Sequence, residues 1–261
     1  MKKIYLPIVL LWLFSCKPHL YRQTSVGMEA TIMEGEKFFV TFPDEYKRND
    51  IVIFDYYGPD FTSYTDDKEK LKMHWEKRVY RLIAYSGDSV EIKNGEVFVN
   101  SNHVPLPRTA ELVYRVRSKV PINEFEDRDP TFTQITRFND TIEYSVSLTS
   151  VEALDYEQRK PAILSVKRIW NNVTDTSYAR DRQTGNWSTD NYGPFKIPSP
   201  NDTIFIDDIN FNFYKNIPGM KKGLNVINEK LYFVLGDNRH HAADSRFIGL
   251  ISHSKMYGVA K

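Results

Sequence analysis

His240, His241 and Asp244 lie in one short stretch late in the chain. A histidine paired with an aspartate is the usual activator of a hydroxyl nucleophile, and Ser25 is a hydroxyl that such a pair would serve. Metal chemistry is not indicated, because no cysteine and no third histidine stands at ligand spacing. Cys16 is the only cysteine, so it forms no internal disulfide. No P-loop, repeat or low-complexity tract occurs, and no cofactor is expected.

Four blocks carry more specific information. Thr24-Ser25-Val26-Gly27-Met28-Glu29-Ala30-Thr31-Ile32 comes first, followed by Lys47-Arg48-Asn49-Asp50-Ile51-Val52-Ile53-Phe54. Tyr80-Arg81-Leu82-Ile83-Ala84-Tyr85-Ser86-Gly87-Asp88 is the third, and Leu235-Gly236-Asp237-Asn238-Arg239-His240-His241-Ala242-Ala243-Asp244-Ser245-Arg246 is the fourth and most specific. In this order they resemble the type I signal peptidases, serine endopeptidases of the S26 family. Asn49 stands where that family has a glycine, and asparagine tolerates the positive φ such a turn requires.

The resemblance implies a Ser-Lys dyad in which a serine attacks the scissile carbonyl and a buried, neutral lysine takes its proton. Gly27 occupies the nucleophile position, fixed by Met28 directly after it and Thr31 farther on. Ser25 occupies the position of the oxyanion-hole hydroxyl, beside the backbone N–H of Gly27. Gap-free alignment on Gly87-Asp88 puts Tyr80 in the lysine position and Arg81 in the arginine position. Ala242 replaces the serine that orients the lysine. Asp237, Asn238 and Arg239 match the family signature, and Asp244 and Arg246 resemble its ion pair.

Glycine has no atom with which to form an acyl-enzyme. Tyr80, with a reference pKa of about 10 that burial raises, is a neutral phenol and a feeble base. Lys77, in Lys77-Arg78-Val79, is the alternative base. It differs from Tyr80 by an odd number of residues and so faces the other side of a regular strand, reaching the site only through a bulge before Gly87. The expected protein is therefore a signal-peptidase-like chain that has lost catalysis and binds extended peptides, such as preprotein segments, by strand addition. An active signal peptidase is a further expected partner. A working endopeptidase using Ser25 with Lys77 or His240, and a structural subunit of an envelope complex, are the rival readings.

The elements that must position these residues read as β-structure. Apolar residues come in short runs, Phe38-Phe39-Val40, Ile51 to Phe54 and Val79 to Ala84, and then alternate through Val90, Ile92, Val97 and Val99. Asn94-Gly95 between the alternating runs predicts a two-residue hairpin. The fold class is all-β: a signal-peptidase-like core, 24–105 and 228–261, carrying an inserted antiparallel β-domain over 106–227. Asp190 to Pro198 resembles the lead-in to that domain's later strands.

At 261 residues and 41% hydrophobic content the chain can bury a sizeable core. Lys plus Arg (35) nearly balances Asp plus Glu (34), so no global field points to nucleic acid. Lys2 and Lys3 followed by Ile4 to Phe14 form a basic and then a short apolar segment, too short to span a bilayer, which needs about 20 apolar residues. Leu13-Phe14-Ser15-Cys16 resembles a bacterial lipobox. Residues 1–15 then form the leader, and Cys16 becomes the lipidated first residue of a polar tether, 16–23. Such a protein is held at the membrane of the cell envelope with its folded part outside the cytoplasm. A signal-anchor helix or a conventional cleaved leader are the alternatives.

Overall fold

The computed structural model describes residues 19–59, 73–128, 133–173, 178–181 and 187–261. The leader, the lipobox and Cys16 lie outside the described residues. Strands follow in chain order as β1 (His19–Arg22), β2 (Lys37–Thr41), β3 (Ile51–Pro59), β4 (Met73–Tyr85), β5 (Ser89–Lys93), β6 (Glu96–Val99), β7 (Asn102–Val104), β8 (Glu111–Ser118) and β9 (Thr133–Arg137). They continue as β10 (Ile142–Thr149), β11 (Ile163–Arg168), β12 (Tyr192–Lys196), β13 (Thr203–Ile206), β14 (Gly223–Val226), β15 (Leu231–Leu235), β16 (Ile251–Ser252) and β17 (Met256–Ala260). Helices are short: α1 (Asn123–Glu126), α2 (Ser150–Gln158), α3 (Phe211–Tyr214) and α4 (Ser245–Ile248). The all-β class expected from the alternating runs is what the chain adopts. Among the described residues no helix is long and apolar enough to cross a membrane.

A seven-stranded sheet in the order β1-β2-β17-β3-β4-β15-β16 forms the centre. β15 is buried along its whole length, and its side chains alternate between two cores. Leu231, Phe233 and Leu235 pack with Val90, Tyr192 and Phe195, whereas Tyr232 and Val234 pack with Val52, Phe54, Tyr80 and Leu82. A strand buried on both faces reads as a continuous apolar run, which Leu231-Tyr232-Phe233-Val234-Leu235 is. Such strands hold fixed positions, because a one-residue slip would send every side chain into the wrong core.

Asn94 and Gly95 adopt φ of 50° and 71° between the paired Lys93 and Glu96, the left-handed pair of a type I′ hairpin. Asn49 also sits at φ 74°, so the basic turn keeps its shape without glycine. His19–Arg22, expected as part of the tether, is instead a strand: β1 pairs with β2 through Leu20 with Phe39 and Tyr21 with Phe38. Tyr21 packs partly into the core and its hydroxyl donates to the Lys77 carbonyl at 3.0 Å, which fixes the strand in place.

The segment read as an insert divides physically. β8 to β11 form a four-stranded sheet, β11-β8-β10-β9, with its own core of Val116, Phe125, Tyr144, Val146, Leu148 and Tyr156. β12 instead joins β5, β6 and β7, and Trp187, Tyr192, Phe195 and Phe213 pack into a core shared with β15.

Candidate functional site

A single 3₁₀ turn, Val26–Met28, carries Gly27. Ser25 precedes it in extended conformation, φ −145° and ψ 157°, without a capping hydrogen bond from its side chain. The turn is held from the far end of the sequence. Asn238 donates its backbone N–H to the Gly27 carbonyl at 3.1 Å and its side-chain amide to the Val26 carbonyl at 3.3 Å. Asp237, fully buried, accepts two hydrogen bonds from Arg81, at 2.9 and 2.6 Å, and one from the Thr31 hydroxyl at 2.5 Å. Charge-assisted and bidentate contacts of this kind are the stronger class of hydrogen bond. Turn, β4 and the segment after β15 are thereby locked together.

Within this frame Gly27, Tyr80 and Ala242 come to one point. A Cβ built on Gly27 would lie 2.8 Å from Tyr80 Cε1, 3.4 Å from the Tyr80 hydroxyl and 3.4 Å from Ala242 Cβ. Tyr80 is buried, and desolvation pushes its phenol up to about 12, with Arg78 opposing and Asp244 adding to the rise. It is neutral at any physiological pH. Gly236 is needed beside it, since a Cβ there would lie 2.2 Å from Ala242 Cβ and 2.5 Å from the Gly27 carbonyl oxygen.

The sequence reading made access for Lys77 depend on a bulge before Gly87. A register shift does occur: β15 pairs Phe233 with Ala84 but Val234 with Leu82, so Ile83 is the extra residue. It lies between Tyr80 and Gly87, whereas the pairing of β4 with β3 runs unbroken from Arg81 to Met73. The shift moves Lys77 and Tyr80 together and leaves them on their own faces. Lys77 Nζ ends 2.5 Å from Asp55 Oδ1 and 4.1 Å above the Tyr257 ring.

The histidine and aspartate residues do not assemble into a unit around Ser25. His240 Nε2 lies 3.2 Å from Asp190 Oδ2, a residue 50 positions upstream that nothing in the local sequence marked as its partner. Burial raises the Asp190 pKa, but His240, the Asn171 N–H and Arg246 together outweigh it and leave the carboxyl below its usual range. Asp244 is committed to Arg246, which donates to both its oxygens at 2.9 and 2.7 Å, and it also accepts from the Gly236 N–H at 3.0 Å. His241 does line the cleft. Burial and the neighbouring His240 hold its pKa down at about 4. Arg239 is buried, and desolvation lowers its pKa to about 10.

Around this point opens a cleft of about 590 Å³ whose walls include Ser25, Gly27, His74, Glu76 and Tyr80, and also Lys77, whose amine is held by Asp55. β15 pairs with β4 only over Arg81 to Tyr85, so the upstream half of β4 has β3 on one side and, among the described residues, no strand paired on the other, where the Tyr21 hydroxyl occupies the Lys77 carbonyl. No group of His, Cys, Asp or Glu among the described residues has the geometry to hold a metal ion. The arrangement offers an open edge, two backbone-positioned donors or acceptors at Ser25 and Gly27, and no side chain at Gly27 to attack a carbonyl.

The family model described as signal peptidase, peptidase S26, matches residues 3–261 of the chain. Signal peptidase I of Bacillus licheniformis is 33% identical over 117 residues, covering 42% of this chain and 54% of that protein. Signal peptidase I P of Bacillus subtilis subsp. natto is 32% identical over 113 residues, covering 41% of this chain and 52% of that one. The chain thus spans about half the length of the curated relatives it matches.

Proposed function

The chain belongs to the signal peptidase family, peptidase S26, and from that premise we propose that it binds extended polypeptide at the membrane surface without cleaving it. One observation carries the reading: the residues at the point where a nucleophile, its base and the residue aiming that base would meet are Gly27, Tyr80 and Ala242. Acyl transfer needs an attacking side chain and a group to take its proton. Glycine has neither, and a phenol held near 12 gives up its proton too reluctantly, and accepts one too weakly, to replace a lysine.

Binding survives that loss on physical grounds. The Tyr80 ring fills the space beside Gly27, yet the surrounding cleft keeps about 590 Å³, which favours a working groove over a vestigial one. The edge of β4 upstream of Arg81 supplies backbone groups for an added strand, the Lys77 carbonyl excepted because the Tyr21 hydroxyl holds it. Ligands of this class are preprotein or signal-peptide segments, or an extended stretch of an active signal peptidase. A working endopeptidase built on Ser25 with Lys77 or His240 is disfavoured, because Asp55 engages the amine and His240, although paired with Asp190, is not part of the cleft wall that carries Ser25. Cys16, carrying lipid, holds the cleft at the membrane, and Cys16→Ser is expected to move the protein into the soluble fraction.

Purified protein mixed with fluorescent signal-peptide substrates is the direct test. A saturable rise in anisotropy with intact peptide is the expected result. Cleavage after small residues at positions −3 and −1 would overturn the reading.

A further inference from the structure

A second cavity, of about 410 Å³, lies where the loop after Gly27 meets the lobe built from β8 to β11. Glu29 reaches it from that loop, Glu111 from the start of β8, Ser147 from β10, Glu152 from α2 and Arg128 from beyond α1. Three carboxylates therefore face one guanidinium, and that guanidinium is already engaged. Arg128 Nη1 donates to the Ser147 carbonyl at 2.7 Å, and Nη2 lies 3.8 Å from Glu152 Oε1. Glu152 Oε2 accepts from the Thr149 N–H and hydroxyl, closing the cap of α2. Among the described residues neither Glu29 nor Glu111 makes an ion pair.

Ser147 supplies an independent sign. It is 3% exposed, and among the described residues its Oγ has no hydrogen-bond partner, whereas buried hydroxyls are ordinarily paired. Tyr144, Val146 and Leu148 point into the lobe's core, so strand alternation turns Ser147 to the other face, toward the cavity. Glu111 pairs with Thr149 in the β8–β10 ladder, which puts Glu111 and Ser147 on the same face as diagonal neighbours, roughly 7–8 Å apart. The carboxylates do not converge as metal ligands would. Separated acceptors of this kind suit a cation that carries several N–H donors over its own width.

We propose that this cavity binds an organic cation, a guanidinium or alkylammonium group presented by a small molecule or by a basic side chain of a polypeptide, with Glu111 as its principal counter-charge and Ser147 Oγ as an acceptor. The proposal stands independently of peptide binding in the main cleft. The cavity nonetheless touches that cleft's frame: Glu111 donates its N–H to the Asp237 carbonyl at 2.9 Å and accepts from the Arg239 N–H at 3.1 Å, flanking the Asn238 that holds Gly27.

Without a cation the site holds its charge at a disadvantage. Burial, then Glu152 and Glu29, push Glu111 up to about 7, with Arg128 opposing. Burial and Glu34 also raise Glu29, again against Arg128. Binding must remove the Glu111 proton, so affinity is expected to rise with pH.

Calorimetric titration of the full chain with agmatine, and with a short peptide containing one arginine, tests this. Saturable binding is expected, roughly 10-fold tighter at about pH 8 than at about pH 6, with heat that varies with the buffer because a proton is released. Glu111→Gln is expected to abolish the pH dependence and most of the affinity, and Ser147→Ala to weaken binding about 5-fold, both at unchanged circular dichroism. Agmatine binding as tightly as the peptide identifies a small-molecule site, and preference for the peptide identifies a basic side chain. Absence of saturable binding by both probes at about pH 8, equal affinity in Glu111→Gln, or displacement of agmatine by an equal concentration of calcium would each overturn the proposal.

Discussion

Gly27 illustrates how tightly single residues are matched in the cleft. A methylene there would come within 2.8 Å of the Tyr80 ring, a distance carbon atoms do not tolerate. Gly27→Ser alone is expected to cost about 1–3 kcal/mol in denaturant unfolding, because a buried aromatic ring must yield. Tyr80→Lys removes the ring and places a flexible amine whose pKa burial lowers. Gly27→Ser, Tyr80→Lys and Ala242→Ser combined are therefore expected to be more stable than the sum of the single changes by about 0.5–3 kcal/mol, read from a mutant cycle. The combined variant is also expected to cleave signal-peptide substrates faster than the parent chain. A combined variant that binds no peptide would count against the cleft as a peptide groove.

Elements impose their own constraints. The β5–β6 turn depends on Gly95, at φ 71°, where a Cβ would also strike Arg168 Nη2 at 2.1 Å. Gly95→Ala is expected to destabilise by about 1–3 kcal/mol from backbone strain, with the guanidinium displaced as well. The segment between β15 and α4 depends on the fully buried Asp244 and Arg246 pair. Asp244→Ala strands a buried guanidinium, at an expected cost of about 3–5 kcal/mol measured as a fall in the denaturation midpoint. The bulge at Ile83 belongs to this scale too. Its apolar neighbours Leu82 and Ala84 read as an uninterrupted strand, so nothing local announces it. It arises where β4 passes from one core to the other.

For the molecule as a whole, two groups bend stability in opposite directions with pH. The folded pKa of His241, about 4, lies below the ordinary histidine value of 6.5. Its contribution is full above about pH 6.5 and is lost as pH falls through about 4. Glu111 lies above the ordinary glutamate value of 4.5, at about 7, so its contribution is full below about pH 4.5 and is lost as pH rises through about 7. Melting scans should then show His241→Asn losing less stability than the parent on acidification. Glu111→Gln should gain over the parent from about pH 5 to about pH 8, the same change that removes cation binding.

The sequence alone settled the family, the all-β class and the Asn94-Gly95 hairpin. Each is written in residues a few positions apart, through strand periodicity, tolerance of positive φ and the spacing of Gly236-Asp237-Asn238-Arg239. The order of the blocks also assigned Gly27, Tyr80 and Ala242 to one site, although only sheet register could bring them within contact. The strand at His19–Arg22, the pairing of His240 with Asp190 and the partly buried charge around Glu111 were decided by tertiary structure. Their partners lie tens to hundreds of residues away, and a side chain's environment is set by which face of which strand arrives opposite it, a property no local pattern encodes.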